Sequence, residues 1–317
     1  MRRGWGRAYF AAQAVAGLGW WVAVFTVPRV RESTLGGLDP VAMAVADVPL
    51  FVVASGLAAA GIRVAAVVAT AWTAVVAVGL AVFATVTSEA GWGVLLMTTA
   101  LGCSLVALCL LLLGRVPTRW LVAGPFAFRP AAHRTGVRGH VLTTFAQVVV
   151  FWGVCLLVIP LVLAWLEQRW RVSLPSSEPA EAVAAVLGAA LLVLASTLGL
   201  WSAVTMSTRG DGTPLPAAMP NRLVIAGPYR FIRNPMALAG ITQGVGVGLL
   251  LGSWLVVVYA VAGSLLWNYA IRPLEEADLE GRFGEEFRRY REDVRCWLPG
   301  RSGGATRRRL SGRRRLR

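Results

Sequence analysis

The sequence predicts an all-α, polytopic membrane helix bundle of about eight transmembrane helices, with both termini cytosolic. Three observations carry this. The 317 residues are 56% hydrophobic with a mean hydropathy of +0.64, above the roughly 45–50% apolar content of soluble domains. Uninterrupted apolar runs recur near the ~20 residues needed to cross a bilayer. Arginine is distributed unevenly between the connecting segments.

In chain order the apolar runs are 8–28, 41–61, 64–87, 91–114, 142–166, 180–206, 235–251 and 254–271. Arg2, Arg3 and Arg7 precede the first, as in a signal peptide. That run reaches membrane length and lacks an obvious small-residue cleavage site, so it reads as a retained span. Trp20 and Trp21 at its end suit an aromatic belt. In the second run, Asp47 interrupts "AMAVADVPLFVV". An acid is costly in hydrocarbon, so it should face the bundle interior or a wet cavity, serving either proton or ligand handling or a structural hydrogen bond near Pro49. The basic, proline-punctuated stretch "GRVPTRWLVAGPFAFRPAAHRTGVRGH" separates the first four spans from the last four, with a boundary near residue 130. Only Gly252 and Ser253 part the last two runs, which predicts a tight hairpin whose ends return to one membrane face.

All 31 basic residues are arginine. With a cytosolic amino terminus, Arg29, Arg31, Arg169 and Arg171 fall outside and the other 27 inside, which fixes the orientation. The net charge of +15 concentrates beside spans and in the tail "RRRLSGRRRLR". There it matches anionic lipid head groups and an anchoring role, not nucleic acid. Cys103, Cys109, Cys155 and Cys296 form no C-x-x-C pair, so neither a disulfide framework nor a zinc site is expected. His133 and His140, both in one basic loop, cannot make a histidine-rich metal site. Chemistry must therefore run on Arg, Glu, Asn, Tyr and backbone groups.

Gly240, Gly244 and Gly248 fall at i, i+4 and i+8 in the seventh span, with Gly246 between them. This is a small-residue helix face for close packing or cofactor approach. With no preceding strand, it is not a dinucleotide fingerprint. After the last span, Leu279, Phe283, Phe287, Tyr290, Val294 and Trp297 make one apolar stripe that faces bilayer or protein, in a helix weakened by Gly281 and Gly284. This segment is able to lie flat as a lid over a cytosolic cavity.

The hairpin gives the site. It brings the sequence before Pro235 to the sequence after residue 271, so Arg230, Arg233 and Asn234 should approach Glu275 and Glu276. Pro235 suits a helix's first turn, whose free N–H groups with Arg233 favour an anion. The bland alternative is a surface ion-pair cluster of positive-inside arginines.

The segment "GPYRFIRNPMALAG", followed one hairpin later by "EEADLEGRFGEEFRRYREDVRCWLP", resembles the isoprenylcysteine carboxyl methyltransferase and phospholipid methyltransferase family. The upstream "GDGTPLP" and "LVIAGPYR" are similar to its bacterial members. The resemblance covers roughly residues 134 to 300. It implies S-adenosylmethionine in a cytosolic pocket built by the last hairpin and the carboxy-terminal segment, with a lipid-like or prenylated acceptor entering from the membrane. On matching positions it implicates Arg230, Glu275 and Glu276 in catalysis. Cofactor binding falls to Gly227, Tyr229, Arg233, Asn234, Pro235, Met236, Glu276 and Tyr290. Two positions depart from the pattern: Asn234 stands where the family often has histidine, and Ala237 where it often has tyrosine. The first removes a titrating group and the second enlarges the acceptor side.

The domains expected are a four-helix membrane domain at 1–130, a methyltransferase domain at 131–300 and a basic disordered tail at 301–317. Richness in Ala, Val, Gly and Arg with no Lys fits a GC-rich bacterial genome, and the expected place is the bacterial inner membrane with the active site facing the cytosol. An amine or hydroxyl acceptor would pass a proton to Glu275 or Glu276, whereas a carboxylate acceptor would be held by Arg230 or Arg233. Two other functions fit the same fold: an NADPH-dependent reductase similar to sterol reductases, and a transporter or scaffold using the amino-terminal spans and Asp47.

Overall fold

Proline opens many of the helices, where its missing N–H leaves no intrahelical partner unsatisfied. The computed structural model describes residues 2–122, 137–211 and 219–299. The tail 301–317, His133, the proposed boundary near residue 130 and most of "GDGTPLP" lie outside the described residues.

The chain divides into two compact units, Met1–Pro117 with Trp165–Ser173, and Thr118–Ala164 with Leu174–Arg317. In the first unit, α1 (Arg2–Thr26), α2 (Pro28–Leu35), α3 (Pro40–Ala59), α4 (Arg63–Thr87) and α5 (Gly91–Leu113) pack around alanine-rich seams. Asp39 caps α3 by accepting from the Ala42 N–H at 2.7 Å. Asp47 is buried, and each carboxylate oxygen accepts from an indole: Oδ2 from Trp21 at 2.8 Å and Oδ1 from Trp72 at 2.7 Å. The acid is thus held across three helices by indoles, not by the backbone near Pro49. Trp21 is correspondingly interior, 4% exposed, and not part of an aromatic belt as its position suggested.

The second unit begins with a 3-10 turn, Thr118–Val122, followed by α6 (Val137–Trp152), a π-type turn Gly153–Val158 and α7 (Ile159–Arg169), whose last residues belong to the first unit. Next come α8 (Glu178–Arg209) and a 3-10 turn Gly227–Arg230. Then follow α9 (Pro235–Leu250), α10 (Trp254–Leu266), a π-type turn Trp267–Ile271 and α11 (Arg272–Asp293). The fold is all-α. Seven helical stretches among the described residues are long and apolar enough to span a bilayer. The seventh expected span, α9, has 16 residues, about 24 Å against a hydrocarbon core of about 30 Å.

The α9–α10 hairpin forms as the sequence predicts. Gly252 takes φ 59°, and Ser253 caps α10 by accepting from the Val256 N–H. The glycine face of α9 splits into two uses. A Cβ on Gly246 would lie 2.9 Å from the Gly188 oxygen of α8, and one on Gly248 2.9 Å from the Val257 nitrogen of α10, so both serve packing. Gly240 has nothing within 4 Å of that position.

Candidate functional site

The carboxy-terminal stripe turns inward. Inside α11, Gly284 adopts φ 53°, ψ −123°, which breaks the helix direction and is open essentially only to glycine. Beyond it Phe287, Tyr290 and Val294 form a buried cluster with Leu223, Leu279 and Phe283. The segment is therefore packed on the loop before the hairpin. Three hydrogen bonds stitch the two together. The Tyr290 hydroxyl donates to the Tyr229 carbonyl at 2.6 Å, the Arg233 N–H to the Arg295 carbonyl at 3.0 Å, and Arg233 Nη1 to the Arg291 carbonyl at 2.8 Å.

These contacts close one end of a cavity of about 700 Å³. Its charged end carries Arg233, Asn234, Glu275 and Glu276. Its apolar walls come from α6, α9 and α10, with Trp152, Leu156, Ile241, Ala260 and Trp267 among the lining residues. Gly240 lines it too, which accounts for the open space at that glycine. Volumes of this order suit small-molecule and cofactor sites.

The neighbouring acids differ in environment. Glu276 Oε1 lies 3.2 Å from Arg233 Nη2 and 3.9 Å from Arg272 Nη1. Glu275 makes no hydrogen bond or ion pair among the described residues. Burial pushes its carboxyl up to about 7, and the charges of Glu276 and Asp278 add to the rise. Burial likewise raises the Tyr229 and Tyr290 phenols above their ordinary range, so both stay neutral donors. The Nε–H groups of Arg233 and Arg272 are buried without a partner. Cys296 Sγ accepts from Asn234 Nδ2 at 3.4 Å and Arg272 Nη1 at 3.3 Å.

Of the residues singled out from sequence, Tyr229, Arg233, Asn234, Met236, Glu275, Glu276 and Tyr290 line this cavity together. Gly227, Arg230 and Pro235 do not. Gly227 has φ 53°, and a Cβ there would meet Thr205 Oγ1 at 2.7 Å, so it shapes the turn. Pro235 is buried at the start of α9. Arg230 is exposed and lines a second hollow of about 510 Å³ with Glu285, Glu286 and Arg289; Tyr290 borders both, but Glu275 and Glu276 do not line this one. The reason is local: in the 3-10 turn Gly227–Arg230 the buried side goes to Pro228 and Tyr229. Sequence reasoning missed Gln147, Tyr259 and Arg222 on the cavity wall. A lone amide in "TTFAQVVVFWGVC" was the available signal for the first.

Residues 183–286 match the family model described as phospholipid methyltransferase. That segment is similar to the phospholipid methyltransferases. That family's members are methyltransferases, and the stretch similar to them lies in the second unit. The matched segment holds the whole hairpin and both Glu275 and Glu276. The α6 wall and Tyr290 lie outside it. No curated protein and no solved structure matches the chain.

Proposed function

We propose that the chain is an S-adenosylmethionine-dependent methyltransferase that modifies an amine or hydroxyl of a lipid-like membrane molecule. The observation carrying this reading is the cavity that joins a charged end to apolar walls, its charged end lying in the stretch similar to phospholipid methyltransferases. A water-soluble donor and a membrane-resident acceptor need such a meeting place.

The charged end suits the donor. Buried N–H groups rarely go unpaired, and the free Nε–H group of Arg233, which lines the cavity, is matched to a carboxylate. Arg233, Asn234, Glu276, Tyr229, Met236 and Tyr290 would hold the donor, with Glu276 fixing both arginines. S-adenosylmethionine, when bound, supplies an activated methyl group whose sulfonium charge is lost on transfer. Arg233 and Tyr290 fix the hairpin mouth, so positioning and exclusion of water provide most of the acceleration.

Glu275 is the proton acceptor in this reading. An unpaired carboxyl near pH 7 is matched to removing a proton from an amine or hydroxyl. A carboxylate acceptor would have no proton to give. Arg230 belongs to the outer hollow and has no part in the chemistry. The arginine bias puts the mouth on the cytosolic face of a bacterial inner membrane, and the tail 301–317 is read as an anchor to anionic lipids.

Calorimetric titration of the detergent-purified protein with S-adenosylmethionine, with NADPH as comparator, tests the assignment. Saturable methyl-donor binding, lost in Arg233→Ala/Glu276→Ala, is expected. Binding of NADPH alone would establish a reductase, and binding of neither would leave a transporter or scaffold.

A further inference from the structure

Gln147 stands apart from its surroundings. It lies in α6 inside an apolar run, and its neighbours on the cavity face of that helix are Val148, Phe151 and Trp152. Its side chain lines the cavity, yet its Oε1 is buried without a hydrogen-bond partner among the described residues. Thr144, one turn away on the same helix, is bonded instead to Ser207 of α8, which donates to its Oγ1 at 2.8 Å. Elsewhere in the bundle Gln243 is at least anchored, donating from Nε2 to Ser196 Oγ at 2.9 Å.

A buried acceptor left unpaired is destabilising, and hydrocarbon offers no water to relieve it. The terminal torsion of glutamine is broad and soft. A small rotation turns the amide toward whatever fills the cavity.

Two contacts set its depth. Thr144 is tied to Ser207 near the end of α8, beside the mouth. Cys155 accepts from the Tyr259 hydroxyl at 3.3 Å, deep along α10 and about 24 Å of helix from Glu275. Gln147 lies one turn from Thr144 and two from Cys155, about 12 Å of helical rise short of the deep end. That level is below the charged mouth and above the apolar floor.

We infer that Gln147 is a specificity-determining residue that accepts a hydrogen bond from an N–H or O–H group in the body of the acceptor, between its reacting head and its hydrocarbon tail. The inference rests on reading the cavity as the acceptor site. It assigns the substrate to amphiphiles with a polar junction, and away from plain hydrocarbon chains.

A matched pair of probes tests it: N-decanoyl-6-aminohexanoate, with an amide N–H, and 6-(decanoyloxy)hexanoate, with an ester oxygen in its place. Binding to the detergent-purified full chain is read by tryptophan fluorescence, since Trp152 and Trp267 line the cavity. The amide should bind about tenfold tighter than the ester. In Gln147→Leu the two affinities should become equal. The leucine variant should also keep or raise its melting temperature, because the unpaired oxygen is gone, and should bind S-adenosylmethionine like the wild type. Equal affinities in the wild type, or an amide preference that survives in Gln147→Leu, would overturn the inference. Failure of the wild type to bind S-adenosylmethionine would sink the proposed activity while leaving the amide-to-ester ratio to judge Gln147.

Discussion

Two adjacent carboxylates with one covalent spacing between them have been given opposite work by their surroundings. Glu276 is bound to Arg233 and Arg272 as a strut. Glu275 faces the cavity unpaired, and burial lifts it to about 7. A folded-state value above the ordinary 4.5 means that the folded protein holds the extra proton. Stability from this group is therefore complete below about pH 4.5, falls as pH rises toward 7 and is flat beyond it. Glu275→Gln removes that loss. The variant should match the wild type in melting temperature near pH 5 and exceed it at pH 8, by on the order of 1–2 kcal/mol after allowance for solvent screening. Its methyl transfer to an amine or hydroxyl should drop by about 100-fold or more, and the rise in rate near pH 7 should vanish. An unchanged pH profile in the variant would exclude Glu275 as the base.

At the scale of elements, α11 depends on one glycine. A helix continued straight through Gly284 would carry Phe287 and Tyr290 away from Leu223 and Phe283. Nothing lies within 4 Å of the position a Cβ would take there, so Gly284→Ala isolates backbone strain from steric clash. It should cost about 1–3 kcal/mol, loosen the Tyr290 bond to Tyr229 and speed proteolysis after residue 284. Normal melting together with normal protease resistance would show that the bend is dispensable. The sequence made the stripe of Leu279, Phe283, Phe287, Tyr290 and Val294 legible, as it did the hairpin at Gly252 and Ser253, because both follow from period and chain reach. It marked Gly284 only as a weak helical position. Which way Arg230 points was not legible at all, since a side chain's exit from a 3-10 turn is decided by what the turn is packed against.

At the scale of the molecule, hydropathy located the helices because a bilayer imposes their length. It did not reveal that Trp165–Ser173, after a stretch assigned to the second unit, is part of the first. That membership rests on specific contacts. Arg169 donates from Nε to the Thr85 carbonyl at 2.6 Å and from Nη2 to the Val86 carbonyl at 2.7 Å. The Trp170 indole donates to Thr85 Oγ1 at 3.0 Å and packs against the cluster of Leu80, Ala84, Ala90 and Val94. Val172 is fully buried. A chain cut near residue 130 would keep every residue of the cavity described above, yet strip these partners from Arg169, Trp170 and Val172. The 131–317 fragment should therefore still bind S-adenosylmethionine within about threefold of the full chain, while melting several degrees lower, as expected when buried apolar contacts and charge-assisted bonds are lost together. The triple variant Arg169→Ala/Trp170→Ala/Val172→Ala in the full chain should reproduce most of that loss. If the fragment melts like the full chain, the segment contributes no stability. If it melts lower and also loses the methyl donor, the first unit supports the site and is more than an accessory.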